Sequence, residues 1–133
     1  MSLLKELNPG DSVQSIKLDP VSRLDLIKYA GASGDFNPIH TIDEEAKKAG
    51  LPGIIAHGMW TMGNLAKLFS DSYDIGFIEE YKIRFKSMVF LDDVITLQAY
   101  LKEKKEDTYH FVVVAVNQVG KETISGEVIF KVY

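Results

Sequence analysis

The chain has 133 residues, of which 46% are apolar and 26% charged, a balance that suits one folded domain over residues 1–133. Fifteen basic and 19 acidic side chains give a net charge of −4, which argues against nucleic acid or an anionic membrane as the main partner. The absence of cysteine excludes disulfides, thiolate nucleophiles and cysteine-ligated zinc. No apolar run approaches the ~20 residues that span a bilayer, so a cytoplasmic protein is expected.

The first third of the chain predicts a short strand and two helices. Residues 13–18 alternate apolar and polar side chains, which is a weak strand pattern. Asp19 followed by Pro20 is typical of an N-cap and the first position of a helix, and glycines further along would end that helix. Thr41 and Glu44 have the spacing of a capping box, which predicts a second helix of about two turns.

The middle of the chain predicts a long helix, and the second half predicts a sheet. Residues 58–69 are apolar on nearly every side of a helix, which predicts that this helix is buried all round. Four later segments have the alternating or continuously apolar pattern of strands, namely 81–86, 95–101, 109–116 and 128–132. Joined in meander order they make an antiparallel sheet, so we expect an α+β fold with the sheet wrapped around one central helix.

A carboxylate and an imidazole lie five residues apart in the segment Ser33-Gly34-Asp35-Phe36-Asn37-Pro38-Ile39-His40. Acid–base catalysis requires heavy atoms held about 3 Å apart, and Pro38 stiffens the loop between the two groups. Asp35 and His40 are therefore predicted to converge on one water or substrate hydroxyl, with Asn37 as a substrate-binding candidate that also ties the loop backbone. Such residues also form ordinary turns, so a purely structural loop is the alternative.

A second polar feature, His57-Gly58, opens the predicted long helix. Glycine has no Cβ, so a ligand can approach its backbone closely. An N–H at a helix N-terminus also favours a negatively charged oxygen. Gly58 is therefore predicted to polarise a carbonyl towards an enolate. His57 either precedes the helix as a structural residue or contacts the substrate.

A basic row on one predicted strand offers a third candidate. It consists of Lys82, Arg84 and Lys86, and an ordinary solvated face is one interpretation. Contact with the phosphates of a carrier such as coenzyme A is the other, with Arg84 as the substrate-binding candidate. The third histidine, His110, is assigned no role. Neither a metal nor another cofactor is expected, because the histidines lack the spacing of a zinc or iron site.

Two blocks of sequence together resemble a known family. They are Tyr29-Ala30-Gly31-Ala32-Ser33-Gly34-Asp35-Phe36-Asn37-Pro38-Ile39-His40 and Ile55-Ala56-His57-Gly58-Met59-Trp60-Thr61-Met62-Gly63. The chain resembles the MaoC-like (R)-specific enoyl-CoA hydratases, which are hotdog-fold proteins, and the B-type subunit of bacterial (3R)-hydroxyacyl-ACP dehydratases. The resemblance implies a dimer, with Asp35 and His40 as the catalytic pair and Gly58 as the oxyanion amide. The chain departs from the family at Met88 and at Leu91-Asp92-Asp93, where proline-containing turns are common.

The implied reaction is the reversible hydration of a trans-2-enoyl thioester to a (3R)-3-hydroxyacyl thioester in fatty-acid metabolism, on coenzyme A or acyl carrier protein. A hotdog acyl-CoA thioesterase is one alternative, but residues 57–70 lack the acidic side chain that those enzymes usually place on the central helix. An acyl-binding module or a subunit of a heterodimeric dehydratase is the other, and this chain would be the active member because it has both residues. Acyl-chain length, carrier and direction stay open at this point, as do the assignment of each proton transfer and the choice between homodimer and heterodimer.

Overall fold

The computed structural model describes residues 4–133. Its helices are α1 (Arg23–Ser33), α2 (Asp43–Lys48) and α3 (Gly58–Leu65), and its 3-10 turns are Leu4–Glu6, Pro38–His40 and Ala66–Ser72. Its strands are β1 (Ile16–Lys17), β2 (Gly76–Phe85), β3 (Thr96–Lys105), β4 (Thr108–Val116) and β5 (Glu122–Val132). The predicted strand at 13–18 is confirmed only for its β1 part. Within residues 4–133, no helix has the length and apolar character needed to cross a membrane.

The five strands form one antiparallel sheet in the order β1-β3-β4-β5-β2. The predicted meander is confirmed for β3, β4 and β5 but is wrong for β2. That strand pairs with β5, with Gly76 opposite Val132 and Phe85 opposite Ile124, and it forms a sheet edge. The segment 86–95 that follows can span about 33 Å. This reach exceeds the ~4.8 Å between neighbouring strands several times over, so the next strand can join the far side of the sheet.

The core lies between one face of the sheet and the segment formed by α3 and the 3-10 turn after it. Leu65 and Phe69 are fully buried there. The Phe69 ring meets Phe111 edge-on at a centroid distance of 5.1 Å and stacks near Phe130 at 6.2 Å. Burying one such side chain contributes about 1.5–3 kcal/mol. These contacts fix α3, and therefore its first residue, relative to the sheet.

The predicted burial of the long helix on all sides is wrong. The α-helix ends at Leu65, and the chain continues in 3-10 turns to Ser72. Thr61 and Leu65 face inward, whereas Met59 is 54% exposed. One sheet covers only one side of a helix, so the apolar residues on the other side of α3 remain at the surface of the single chain.

The starts of both early helices differ from prediction. Ser22, and not Asp19, caps α1: its Oγ accepts the Asp25 N–H at 3.1 Å, while the Asp25 carboxylate accepts the Ser22 N–H at 3.1 Å. The capping box expected at Thr41 is also wrong. Thr41 closes the preceding 3-10 turn, and α2 begins after Ile42, whose side chain has no acceptor.

Candidate active site

Asp35 is placed by the end of α1. Gly34 adopts a left-handed φ of 77°, and its N–H donates to the Ala30 carbonyl at 2.9 Å, which ends the helix. Two short-range bonds then shape the loop. The Ser33 hydroxyl accepts the Asp35 N–H at 3.1 Å, and the Asp35 carboxylate accepts the Asn37 N–H at 3.2 Å. The carboxylate remains half exposed and can therefore meet a substrate.

Asn37 connects this loop to the 3-10 turn Pro38–His40. Its side-chain oxygen accepts the Ile39 N–H at 3.3 Å, so Asn37 ties the loop backbone as predicted. Pro38 supplies a φ that suits the first position of the turn. His40 ends the turn and is 7% exposed. Contact between Asn37 and a substrate stays a prediction.

The ring of His40 is oriented by a backbone carbonyl. Its Nδ1 lies 2.8 Å from the carbonyl oxygen of Ile55, and because a carbonyl only accepts, Nδ1 carries the proton. The other nitrogen, Nε2, is 3.9 Å from a carboxylate oxygen of Asp35. In the neutral ring Nε2 has a free lone pair. The acid and the base predicted from the sequence are therefore brought together, at a separation that one water molecule can bridge.

His57 lies directly behind His40. The two rings stack with centroids 3.8 Å apart and planes 24° apart, and Tyr29 meets the His57 ring edge-on at 4.8 Å. The His57 Nε2 is 3.1 Å from the Asp35 carbonyl oxygen, so it carries the proton and donates. The ring is 2% exposed, and its Nδ1 has no hydrogen-bond partner within residues 4–133.

Burial keeps His57 uncharged. Desolvation lowers the pKa of His57; the hydrogen bond to the Asp35 carbonyl opposes this shift, and the nearby His40 adds to it. At neutral pH the ring is therefore a neutral donor to the Asp35 backbone. Contact between His57 and a substrate stays a prediction, but this burial favours a supporting role.

Asp35, His40 and His57 offer three ligand atoms within 4.8 Å of one another, which is a composition that metals use. The ring geometry does not suit an ion. The lone pair of each nitrogen lies in the plane of its ring, and these planes run alongside each other. Lone pairs in two nearly parallel ring planes run side by side and are poorly placed to share one ion. The arrangement fits proton transfer better than metal binding.

Gly58 begins α3, so its N–H has no acceptor within the helix. A Cβ at this position would lie 2.6 Å from Cε1 of Phe85, which shows that the phenyl ring rests against the glycine. This ring occupies the space predicted for an approaching ligand, although the N–H itself remains a candidate oxyanion donor. A pocket of about 320 Å³ adjoins Gly58, Phe85 and Ile55, and its lining is mostly apolar. Ile55 connects this pocket with the pair Asp35 and His40, hereafter the dyad, through its bond to His40, although neither member of the dyad lines the pocket.

The basic row on β2 is partly neutralised. Lys82 lies 3.5 Å from Glu80, and Lys86 lies 2.8 Å from Glu122. Arg84 makes no ion pair with any residue in the described part of the chain. It lines a shallow pocket of about 400 Å³ that is distinct from the pocket beside the start of α3. The prediction that Arg84 binds substrate therefore rests on its unpaired charge.

The sequence carries no signal for two parts of the site. The carbonyl of Ile55 belongs to the backbone, so no residue type announces it. Phe85 reads only as an apolar strand residue, and its contact with Gly58 depends on the fold. Tyr29 lies within the first block of family resemblance, but nothing in that block predicts its contact with the ring of His57.

The model of the MaoC like domain matches residues 5–123 of this chain. Among curated proteins, the peroxisomal hydratase-dehydrogenase-epimerase of Saccharomyces cerevisiae is 41% identical over 68 residues, which cover 51% of this chain and 7% of that protein. The 3-hydroxyacyl-thioester dehydratase X of Mycobacterium tuberculosis is 40% identical over 68 residues, which cover 48% of this chain and 22% of that protein. The chain thus spans only a small part of the length of these curated relatives.

Solved structures share the fold over almost the whole chain. The unliganded R-hydratase PhaJ1 from Pseudomonas aeruginosa superposes with a TM-score of 0.88 and 24% identity, covering 96% of this chain and 83% of that one. At this identity the likeness shows the fold alone. It confirms the expectation of a hotdog fold, an antiparallel sheet around a central helix.

Proposed function

Because the chain belongs to the MaoC-like domain family, we propose that it is an (R)-specific hydratase/dehydratase that interconverts trans-2-enoyl and (3R)-3-hydroxyacyl thioesters in fatty-acid metabolism. One observation carries the proposal: the Asp35 carboxylate and the His40 Nε2 face each other across 3.9 Å. This gap is too long for a direct hydrogen bond. It suits a water or hydroxyl oxygen that both groups hold.

The dyad supports addition of water without a permanent change in its protonation. The orientation of His40 leaves the Nε2 lone pair directed to the water, while Asp35 accepts a second hydrogen bond. As the water oxygen bonds to C3, one proton leaves the water and one proton reaches C2. The pair therefore ends the cycle as it began. Dehydration is the same path in reverse.

The thioester carbonyl needs a donor while C2 carries negative charge. Gly58 is proposed for this role, because its N–H at the start of α3 has no acceptor among residues 4–133 and the helix dipole favours a negative oxygen there. One such donor is typically worth ~10²–10³ in rate. The apolar pocket beside Gly58 is the proposed site of the acyl chain.

The reaction is tested with crotonyl-CoA, by following the loss of enoyl-thioester absorbance. Asp35→Asn and His40→Ala should each lower turnover by orders of magnitude with the fold retained, whereas His110→Ala, a histidine on the sheet beside Glu127, should not. Chiral analysis should give the (3R) product. Near-native activity in either dyad variant would remove that residue from the mechanism. Release of free coenzyme A without hydroxyacyl product would indicate a thioesterase instead.

We propose a homodimer as the active form, joined through the outer edge of β2. Within residues 4–133 this edge has no partner strand. Its exposed charges change sign along the strand, with Glu79 and Glu80 on one side of Tyr81 and Lys82 and Arg84 on the other. About a twofold axis at Tyr81, antiparallel pairing places Glu80 of each chain opposite Lys82 of the other and leaves Arg84 opposite Ile78.

Light scattering tests the assembly and should give twice the chain mass of 14.9 kDa. A single-chain mass would contradict the homodimer. A heterodimer is the alternative, and an inert chain that becomes active on addition of a second protein would establish it. A cytoplasmic location also stays a prediction, which cell fractionation checks.

A further inference from the structure

We propose that His57 is a positioning residue for both members of the dyad: its ring sets the plane of His40, and its N–H sets the backbone of Asp35. The consequence for catalysis rests on the proposed function. The positioning itself rests only on contacts within this chain.

The first contact is with His40. The centroids of the stacked rings are 3.8 Å apart, so the His40 imidazole cannot turn about its Cβ–Cγ bond without losing either the stack or the hydrogen bond to Ile55. Tyr29 packs edge-on against His57, which completes a layered arrangement of three rings. This arrangement determines where the His40 Nε2 points.

The second contact is with Asp35. The carboxylate is 51% exposed and sits just after the left-handed Gly34, so its position depends on how well its own backbone is held. The buried Nε2–H of His57 donates to the Asp35 carbonyl at 3.1 Å. One side chain therefore connects two residues that are five positions apart and must act on the same oxygen. Catalytic groups need placement within about 0.5 Å, and a shared support serves this requirement.

The buried location of His57 also suits this role chemically. Its ring carries no charge at neutral pH, so a proton that moves to His40 meets a neutral aromatic face and not a second cation. Since its one N–H is already donated to Asp35, His57 has no proton available for the substrate. It supports the dyad without taking part in the proton transfer.

Two substitutions separate the contacts. His57→Phe keeps a flat ring and removes the donor, whereas His57→Gln keeps an N–H near the position of Nε2 and removes the ring. With crotonyl-CoA, each should lower kcat by about 10-fold to 100-fold with KM changed by less than about threefold, because the groups are displaced and the binding surface is not. His110→Phe is the matched control and should retain the wild-type kcat.

NMR relaxation of the free protein provides a readout that does not depend on activity. In His57→Phe, the backbone order parameters of Asp35 to Asn37 should fall from about 0.85 to below about 0.6. In His57→Gln they should stay near the wild-type values, while the side-chain ¹⁵N signals of His40 should show exchange between tautomers.

Each outcome decides the proposal. A wild-type protein that does not hydrate crotonyl-CoA would refute the proposed function, and the relaxation data would still test the positioning. Wild-type kcat in both variants, or a loss of activity that only follows the folded fraction measured by circular dichroism, would overturn it. Unchanged order parameters in His57→Phe would overturn the part that concerns Asp35.

Discussion

Replacing Gly58 by alanine should damage the site with little effect on stability. The new Cβ would lie 2.6, 3.0 and 3.1 Å from three carbons of the Phe85 ring. Carbon atoms pack best at about 3.5–4.0 Å, so the ring must move by about 1 Å. Phe85 is 55% exposed at the end of β2, and its ring can therefore turn outward.

The energies nearly cancel. Overpacking costs about 1–3 kcal/mol, with the lower end expected for a ring that can move, whereas glycine to alanine at this first helical position gains at most about 0.5–1 kcal/mol. Activity should respond much more, because the ring borders both the proposed oxyanion amide and the apolar pocket. A displacement of 1 Å can lower the rate about 10²-fold, and we expect a loss of that order in kcat/KM.

Gly63 on the same helix is the matched control. An added Cβ there meets no atom within 4 Å in the described part of the chain. Gly63→Ala should therefore gain about 0.5–1 kcal/mol, seen as a Tm increase of about 2–4 °C, and keep the wild-type activity. The assays are thermal unfolding and crotonyl-CoA hydration. If Gly58→Ala shows the same gain in Tm and full activity, the contact between Phe85 and Gly58 does not constrain the site.

Three other outcomes are expected. Ser22→Ala should lower the free energy of unfolding by about 1 kcal/mol in urea titration, and Thr41→Ala by less than about 0.5; equal losses would contradict the observed caps. Since burial lowers the pKa of His57 below 6.5, the unfolded chain binds more protons, and stability should fall as the pH drops below 6.5. In His57→Phe, Tm should fall less than in the wild type as the pH drops from neutral to mildly acid. The same dependence of Tm on pH in both proteins would refute the contribution of His57. Arg84→Gln should raise KM for crotonyl-CoA and not for crotonyl-pantetheine, which lacks the nucleotide phosphates. Lys82→Gln is the control, because Lys82 is already paired with Glu80. Equal changes of KM for the two substrates, or in the two variants, would argue against phosphate binding by Arg84.

Local chemistry explains what the sequence could predict. Alternation of apolar residues identified β3 and β5, because each presents one face to the core, whereas β4 was identified by its continuous run of β-branched and aromatic residues. The pairing of Asp35 with His40 was also predictable, since the loop between them is short and closed by Asn37 and Pro38.

The remaining features depend on contacts between distant segments. Alternation defines the faces of β2 but not its neighbour, so the edge position next to β5 had no local signal. The cap of α1 lies three residues after the predicted Asp19, because the reciprocal bonds of Ser22 with Asp25 begin the helix there. The relation of His57 to the dyad joins residues 22 positions apart, and only the fold brings them together.

The main chain of Ile55 holds the candidate base, and the same residue lines the apolar pocket. Its carbonyl orients His40 and its N–H donates to Ile39, so both bonds belong to the main chain and persist with any residue other than proline. The residue also lines the apolar pocket. Variation at this position can therefore reshape the proposed site of the acyl chain while His40 keeps its anchor. Under the proposed function, such a division would let one scaffold acquire new chain-length preferences by substitution without first losing its reaction.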